Sequence, residues 1–184
     1  MDNVRHSAEV AVPETVQRWI TQLGIDATIA STQQQAPVTP SRMSPAEQQQ
    51  TLERLRKQLP PPVEAGSGVK THGRWMAADG AVNSIVSGRD ADSDHVDRLL
   101  LKRGLPARRR AARSADVELK LAARMVETGT RHVTVVINHR PCVGPYGCDT
   151  LVPIVLPPEY TLTVLGSDGY RETFEGGATP WWSR

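Results

Sequence analysis

The chain has 184 residues, 39% of them hydrophobic and 23% charged, with a formal net charge of +2. That length predicts one domain plus an added segment, and the near balance of charge excludes a polycation that holds nucleic acid by bulk charge. No run approaches the ~18 apolar residues of a membrane helix, the start M-D-N-V-R-H-S-A-E lacks the basic region and apolar core of a cleavable signal, and two cysteines are too few for a disulfide scaffold. The expectation is a protein that stays in the cytoplasm or is exported without a cleavable signal peptide, with no membrane partner.

In chain order, residues 13–23 read as a short helix. Pro13 suits its first turn, Val16, Trp19, Ile20 and Leu23 share a face, and Gly24 ends it. The polar, proline-punctuated stretch I-D-A-T-I-A-S-T-Q-Q-Q-A-P-V-T-P reads as linker. Residues 44–59 predict a second helix, with Ser44 as cap, Pro45 at the first position and Glu47 completing a capping box. Its stripe of Leu52, Leu55 and Leu59 is too thin for a core of its own and suits docking on a partner surface. Three prolines end it, and V-E-A-G-S-G reads as a flexible joint. The predicted boundary lies near Gly66, with residues 1–66 a helical, Gln/Pro-rich segment and residues 67–184 the main domain.

After that boundary, K-T-H-G-R-W-M-A and A-V-N-S-I-V-S-G predict a β-hairpin around a turn at Asp79 and Gly80. Residues 92–103 predict a helix with Val96, Leu99 and Leu100 on one face. A basic run follows, Arg108, Arg109 and Arg110 with Arg113 behind it. Residues 114–129 predict an amphipathic helix closed by Gly129, with Val117, Leu121, Ala122, Met125 and Val126 as its stripe. Glu118 falls near the middle of that stripe. A carboxylate aimed at a core is costly unless paired or functional; the alternative is that it meets water or the helix dipole. Residues 131–138 suit a central strand, residues 148–156 a short helix, and Y-T-L-T-V-L with Y-R-E-T-F-E flank the turn G-S-D-G of a second hairpin. The order β-β-α-α-β-α-β-β puts helices over a mostly β centre.

Four polar groups stand where two neighbouring helix starts would meet: Asp116, Glu118, Cys142 and Cys148. Zinc accepts thiolates with a carboxylate in a tetrahedral shell, and a catalytic site leaves one position open. Glu118, pointing away from Asp116, is then placed to move protons. D-x-E is common by chance, and a lone cysteine pair is more often inert or a disulfide. The metal reading gains from the loop, because Gly144, Pro145 and Gly147 force a tight turn and Cys148 then opens a helix whose dipole favours a thiolate.

D-V-E at residues 116–118 and P-C-V-G-P-Y-G-C at residues 141–148 resemble the zinc nucleoside and nucleobase deaminases. The chain is more closely similar to the SCP1.201-like deaminases of bacterial polymorphic toxin systems. Carrying that likeness are G-R-W-M-A-A-D-G, I-V-S-G-R-D, V-E-L-K-L-A-A-R-M, V-T-V-V-I-N, the cysteine loop with D-T-L-V-P, L-P-P-E-Y-T-L-T-V and G-Y-R-E-T-F. The resemblance implies an α/β fold, a cytidine-deaminase-like three-layer sandwich. Its mixed central sheet has about five strands, with helices on both faces and an antiparallel last pair. It implies zinc-dependent hydrolysis of cytosine to uracil in DNA, single-stranded or double-stranded, and as a toxin domain a possible immunity protein as partner. By the same likeness Cys142, Cys148 and Asp116 hold the zinc and Glu118 shuttles protons. The third ligand is usually His, so Asp116 marks either a working variant or a crippled site. A carboxylate beside two thiolates makes the ion a weaker Lewis acid. His139 is the substitute ligand should Asp116 not serve. The rival functions are a deaminase-fold nucleic-acid-binding module without turnover and a deaminase of RNA or free nucleosides.

For the substrate, Tyr146 is placed to stack on a base or to pack under its loop. Asn138 is placed to meet a base edge or to cap its turn, and Ser87 to line the rim or cap its loop. Arg110 and Arg113, with the two arginines before them, offer phosphate contacts or a solvated basic loop. Trp181 and Trp182 either close the core or clamp the tail.

Overall fold

Among the described residues, five strands pair into one sheet in the order β2-β1-β3-β4-β5. They are β1 (His72–Met76), β2 (Val82–Val86), β3 (His132–Ile137), β4 (Thr161–Leu165) and β5 (Arg171–Glu175). In this computed structural model the described residues are 43–64, 66–76, 80–106 and 113–183. The helix expected over residues 13–23, Asp79 of the first turn and the run Arg108, Arg109 and Arg110 lie outside them. β1 runs antiparallel to both β2 and β3, β3 pairs in parallel with β4, and β4 runs antiparallel to β5. The sheet is therefore mixed with an antiparallel last pair, as the resemblance implies. The parallel pair needs a crossover, and α4 (Cys148–Val155) supplies it.

Alternation along β3 divides the sheet into two apolar faces. Val133, Val135 and Ile137 join the main core with Trp75, Ile85, Leu162, Val164 and Phe174. Over that face pack α2 (Ala91–Lys102), α3 (Val117–Thr128) and α4. Val136 points the other way and meets Leu55 and Leu165, with Leu52 and Leu59 alongside. Leu55 sits on α1 (Pro45–Lys57), which begins with the predicted capping box. The leucine stripe thus docks on the chain's own sheet, and the Arg56 guanidinium adds a bond to the Gly166 carbonyl at 2.8 Å. The joint expected near Gly66 is a connection within this packed unit, because residues 61–63 bond back to the end of β3.

The helix expected over residues 114–129 starts later, at Val117, with Asp116 at the N-cap. Gly129 closes it at φ 69°. It is buried nearly all round, from Val117 to Ala123 without a break, because α2, α4 and the sheet enclose it. Gly73 on β1 lets its first turn lie close: a β-carbon there would stand 2.9 Å from both Val117 and Ile85. No helix among the described residues is long and apolar enough to cross a membrane.

Candidate metal centre

Three side chains meet where α3 and α4 begin. Asp116 extends from the N-cap of α3 and makes no cap bond. Its Oδ2 lies instead 3.4 Å from Cys142 Sγ and 3.5 Å from Cys148 Sγ. The two sulfurs are 3.4 Å apart, both free thiols, well beyond a disulfide bond of about 2.05 Å. The donor set fits an ion. Tetrahedral zinc with metal–sulfur bonds of ~2.3 Å and a metal–oxygen bond of ~2.0 Å spaces sulfur from oxygen by about 3.5 Å. Among the described residues, Asp116, Cys142 and Cys148 are the group whose ligand atoms are close enough to share a metal.

The loop between the cysteines is shaped from within. Gly144 N–H donates to Asp149 Oδ1 at 3.0 Å, and the Thr150 hydroxyl donates to the Gly144 carbonyl at 2.8 Å. Cys148 N–H donates to Cys142 Sγ at 3.2 Å. The hydrogen bond from the Cys148 thiol, opposed by burial and aided by that N–H, holds Cys142 below the usual thiol range. Cys148 is pushed well above it, first because its proton bonds Cys142, then by burial and by the charges of Glu118, Cys142 and Asp116. The pair therefore ionises at Cys142 first.

Glu118 sits two residues past Asp116 and is only 3% exposed. Desolvation raises its carboxyl to about 7, with the nearby Asp116 charge adding to the rise and a bond to its own backbone N–H, the Cys148 side chain and Arg113 opposing it. The polar residue in the apolar stripe is thus buried beside the donor group, not drawn out to water.

A pocket of about 160 Å³ opens onto this cluster, and Glu118, Asp116, Cys142, Arg113, Ser87 and His139 help line it. Arg113 is half exposed, with Nη1 4.0 Å from Asp116 Oδ2. Ser87 Oγ accepts the Thr71 N–H at 2.9 Å, so it faces the pocket while joining the hairpin to its wall. His139 stands outside the metal group, its Nδ1 2.8 Å from the Val63 carbonyl. Arg110 lies outside the described residues.

Two expected substrate contacts are otherwise engaged. Asn138 is 4% exposed, with Oδ1 accepting His72 N–H at 2.7 Å and Nδ2 donating to the Pro61 carbonyl at 2.9 Å. Its amide fastens backbone to backbone, and it is not among the residues lining the pocket. Tyr146 packs edge-on against Trp181 and likewise does not line the pocket.

The sequence reading missed two elements. Val63, Glu64, Gly66, Ser67 and Gly68, from the stretch read as a joint, form the outer wall of the pocket with Val69; Val63 N–H donates to the Asn138 carbonyl at 2.7 Å, a pairing no local pattern signals. Lys120 is 1% exposed, and its ammonium bonds the carbonyls of Val86 and Gly88 and the Asp90 carboxylate. It pins the rim that carries Ser87 to the helix that carries Glu118.

No curated protein sequence matches the chain. Residues 33–180 match the model of the SCP1.201-like deaminase family, and over that span the chain belongs to this family of hydrolytic deaminases.

Proposed function

We propose that the chain is a zinc-dependent deaminase that converts cytosine to uracil in DNA, single strands favoured. The observation that carries this reading is Glu118, a carboxyl raised to about 7 beside three metal-type donors and open to a pocket. A zinc ion held by Asp116, Cys142 and Cys148 would supply Lewis acidity toward an oxygen nucleophile. Near neutral pH Glu118 can both take and give a proton, as a shuttle must. It would receive a proton from the attacking water, pass it to N3 of the ring and return the next to the exocyclic amine. The C4–N4 bond then breaks, ammonia leaves, and the water oxygen stays on C4. Burial of Glu118 keeps competing bulk water away from that transfer.

Two points support a nucleic-acid strand over a free nucleoside, and the choice of DNA comes from the family resemblance. Arg113 stands at the pocket mouth, where a flanking phosphate would lie, and the sequence carries three further arginines just before it. A base must leave its stack to enter such a pocket, and a single strand lowers that cost. An antibacterial toxin role with an immunity partner belongs to the proposal through family resemblance alone.

The test is conversion of cytosine to uracil within a single-stranded oligonucleotide, with release of ammonia, by purified, zinc-loaded chain. We expect turnover that Glu118→Ala removes while zinc stays bound. Conversion of cytidine or RNA with no activity on DNA would overturn the substrate. Bound oligonucleotide with no product from any substrate would favour the non-catalytic alternative, in which Asp116 replaces a needed histidine.

A further inference from the structure

The last described residues lie past the end of the family match. They form one turn of 3-10 helix, Trp181–Ser183, whose two indoles reach in different directions. Trp182 Nε1 donates to the Arg103 carbonyl at 3.1 Å, at the end of α2, and its ring packs against the main core. Trp181 Nε1 donates to the Pro145 carbonyl at 3.0 Å. The Trp181 ring stands edge-on to Tyr146, with centroids 5.3 Å apart and planes at 70°. The two indoles also meet each other edge-on, at 5.7 Å. An anchored Trp182 therefore holds Trp181 against Pro145 and Tyr146, midway between the two cysteines. Asp149 and Thr150 fix the same loop at Gly144, from the side of α4. Trp181 remains 44% exposed, so a large apolar ring is kept near the surface by these contacts and not by full burial.

We propose that Trp181 is a positioning residue for the metal group. With Trp182 as its anchor it clasps residues 142–148 and holds Cys142 Sγ within reach of Cys148 and Asp116. The clasp slows opening of the loop and raises affinity for the ion. Its effect on affinity rests on the metal reading above; its effect on opening does not. Partners that orient ligating side chains commonly change metal affinity by about 10–100-fold, and an edge-on aromatic pair with one hydrogen bond is of a strength to shift local opening by about tenfold.

The experiment uses the full chain. Alkylation rates of Cys142 and Cys148 are measured in metal-free protein, and zinc is then titrated against a chromophoric chelator. Trp181→Ala is expected to speed alkylation about tenfold and to weaken zinc binding about tenfold. Trp181→Phe keeps the ring contact, loses the N–H and should fall between Trp181→Ala and the unaltered chain. Val133→Ala, in the core away from the loop, controls for general loosening. The clasp is overturned if Trp181→Ala alkylates and binds zinc like the unaltered chain, or changes no more than Val133→Ala. If zinc fails to protect the thiols of the unaltered chain, the metal reading falls, and the alkylation ratio still decides the clasp.

Discussion

The pocket has two walls of opposite construction. The inner wall is the meeting of two helix starts, where Asp116, Glu118 and Cys142 line the pocket, Cys148 completes the donor group, and Cys148 and Glu118 are fully or nearly fully buried. The outer wall is Val63, Glu64 and residues 66–69, exposed at all of these but Val63 and tied down at its base through Val63, His139 and Asn138. The inner wall combines charge with burial, which is costly for stability and useful for proton transfer. The charge on the outer wall, Glu64, is exposed to water, so this wall shapes access without burying a charge beside the donor group.

The comparison predicts that changes to the inner wall abolish function at little structural cost. Glu118→Gln keeps the shape and removes the proton shuttle, so turnover should fall on the order of a thousandfold. Bound zinc should be unchanged, and the metal-free variant should be no less stable, since a neutral amide replaces a carboxyl that burial disfavours. Asp116→Ala removes a donor and should weaken zinc by more than the 10–100-fold typical of an outer partner, read by chelator competition. Asp116→His, the residue usual in related enzymes, should restore it; equal zinc affinity in Asp116→Ala and the unaltered chain would remove Asp116 from the site.

The outer wall should behave the other way. Asn138→Ala strands the His72 N–H and the Pro61 carbonyl and should cost about 2 kcal/mol of stability by denaturant titration, while zinc affinity holds. A parallel loss of zinc would mean that the two walls are not separable.

Much of this was legible in the sequence, for local reasons. The capping box at Ser44 and Glu47, the two hairpins and Gly129 each announce themselves within a few residues. Glu118 was legible because helical periodicity put a carboxyl in an apolar stripe. What escaped depends on distant partners. Asn138 and Pro61 are 77 positions apart, so residues rich in Gly and Pro read as a joint although they are fastened. Tyr146 has its ring partner in Trp181, which no spacing reveals. Lys120 lies opposite the apolar stripe, where periodicity gives no sign of burial, yet the loop before α2 folds over it.

That buried lysine supports the smallest prediction. Asp90 is partly desolvated, which raises its carboxyl, but hydrogen bonds from Lys120 and Ser93 outweigh this and leave it below the ordinary 3.8. A carboxyl lowered on folding stabilises above its unfolded value and loses that contribution as pH falls through the folded one. Asp90→Asn should therefore be less stable than the unaltered chain at neutral pH, by a modest amount for a half-exposed group. The gap should close as pH drops below 3.8. A gap that stays constant through acid would assign the loss to packing and not to the Lys120 pair.

X-ray absorption at the zinc edge of the loaded protein tests the central claim most directly. The arrangement of Asp116, Cys142 and Cys148 predicts two sulfurs at ~2.3 Å with the remaining donors light atoms at ~2.0 Å. A shell without sulfur, or one of four sulfurs shared between two chains, would contradict it.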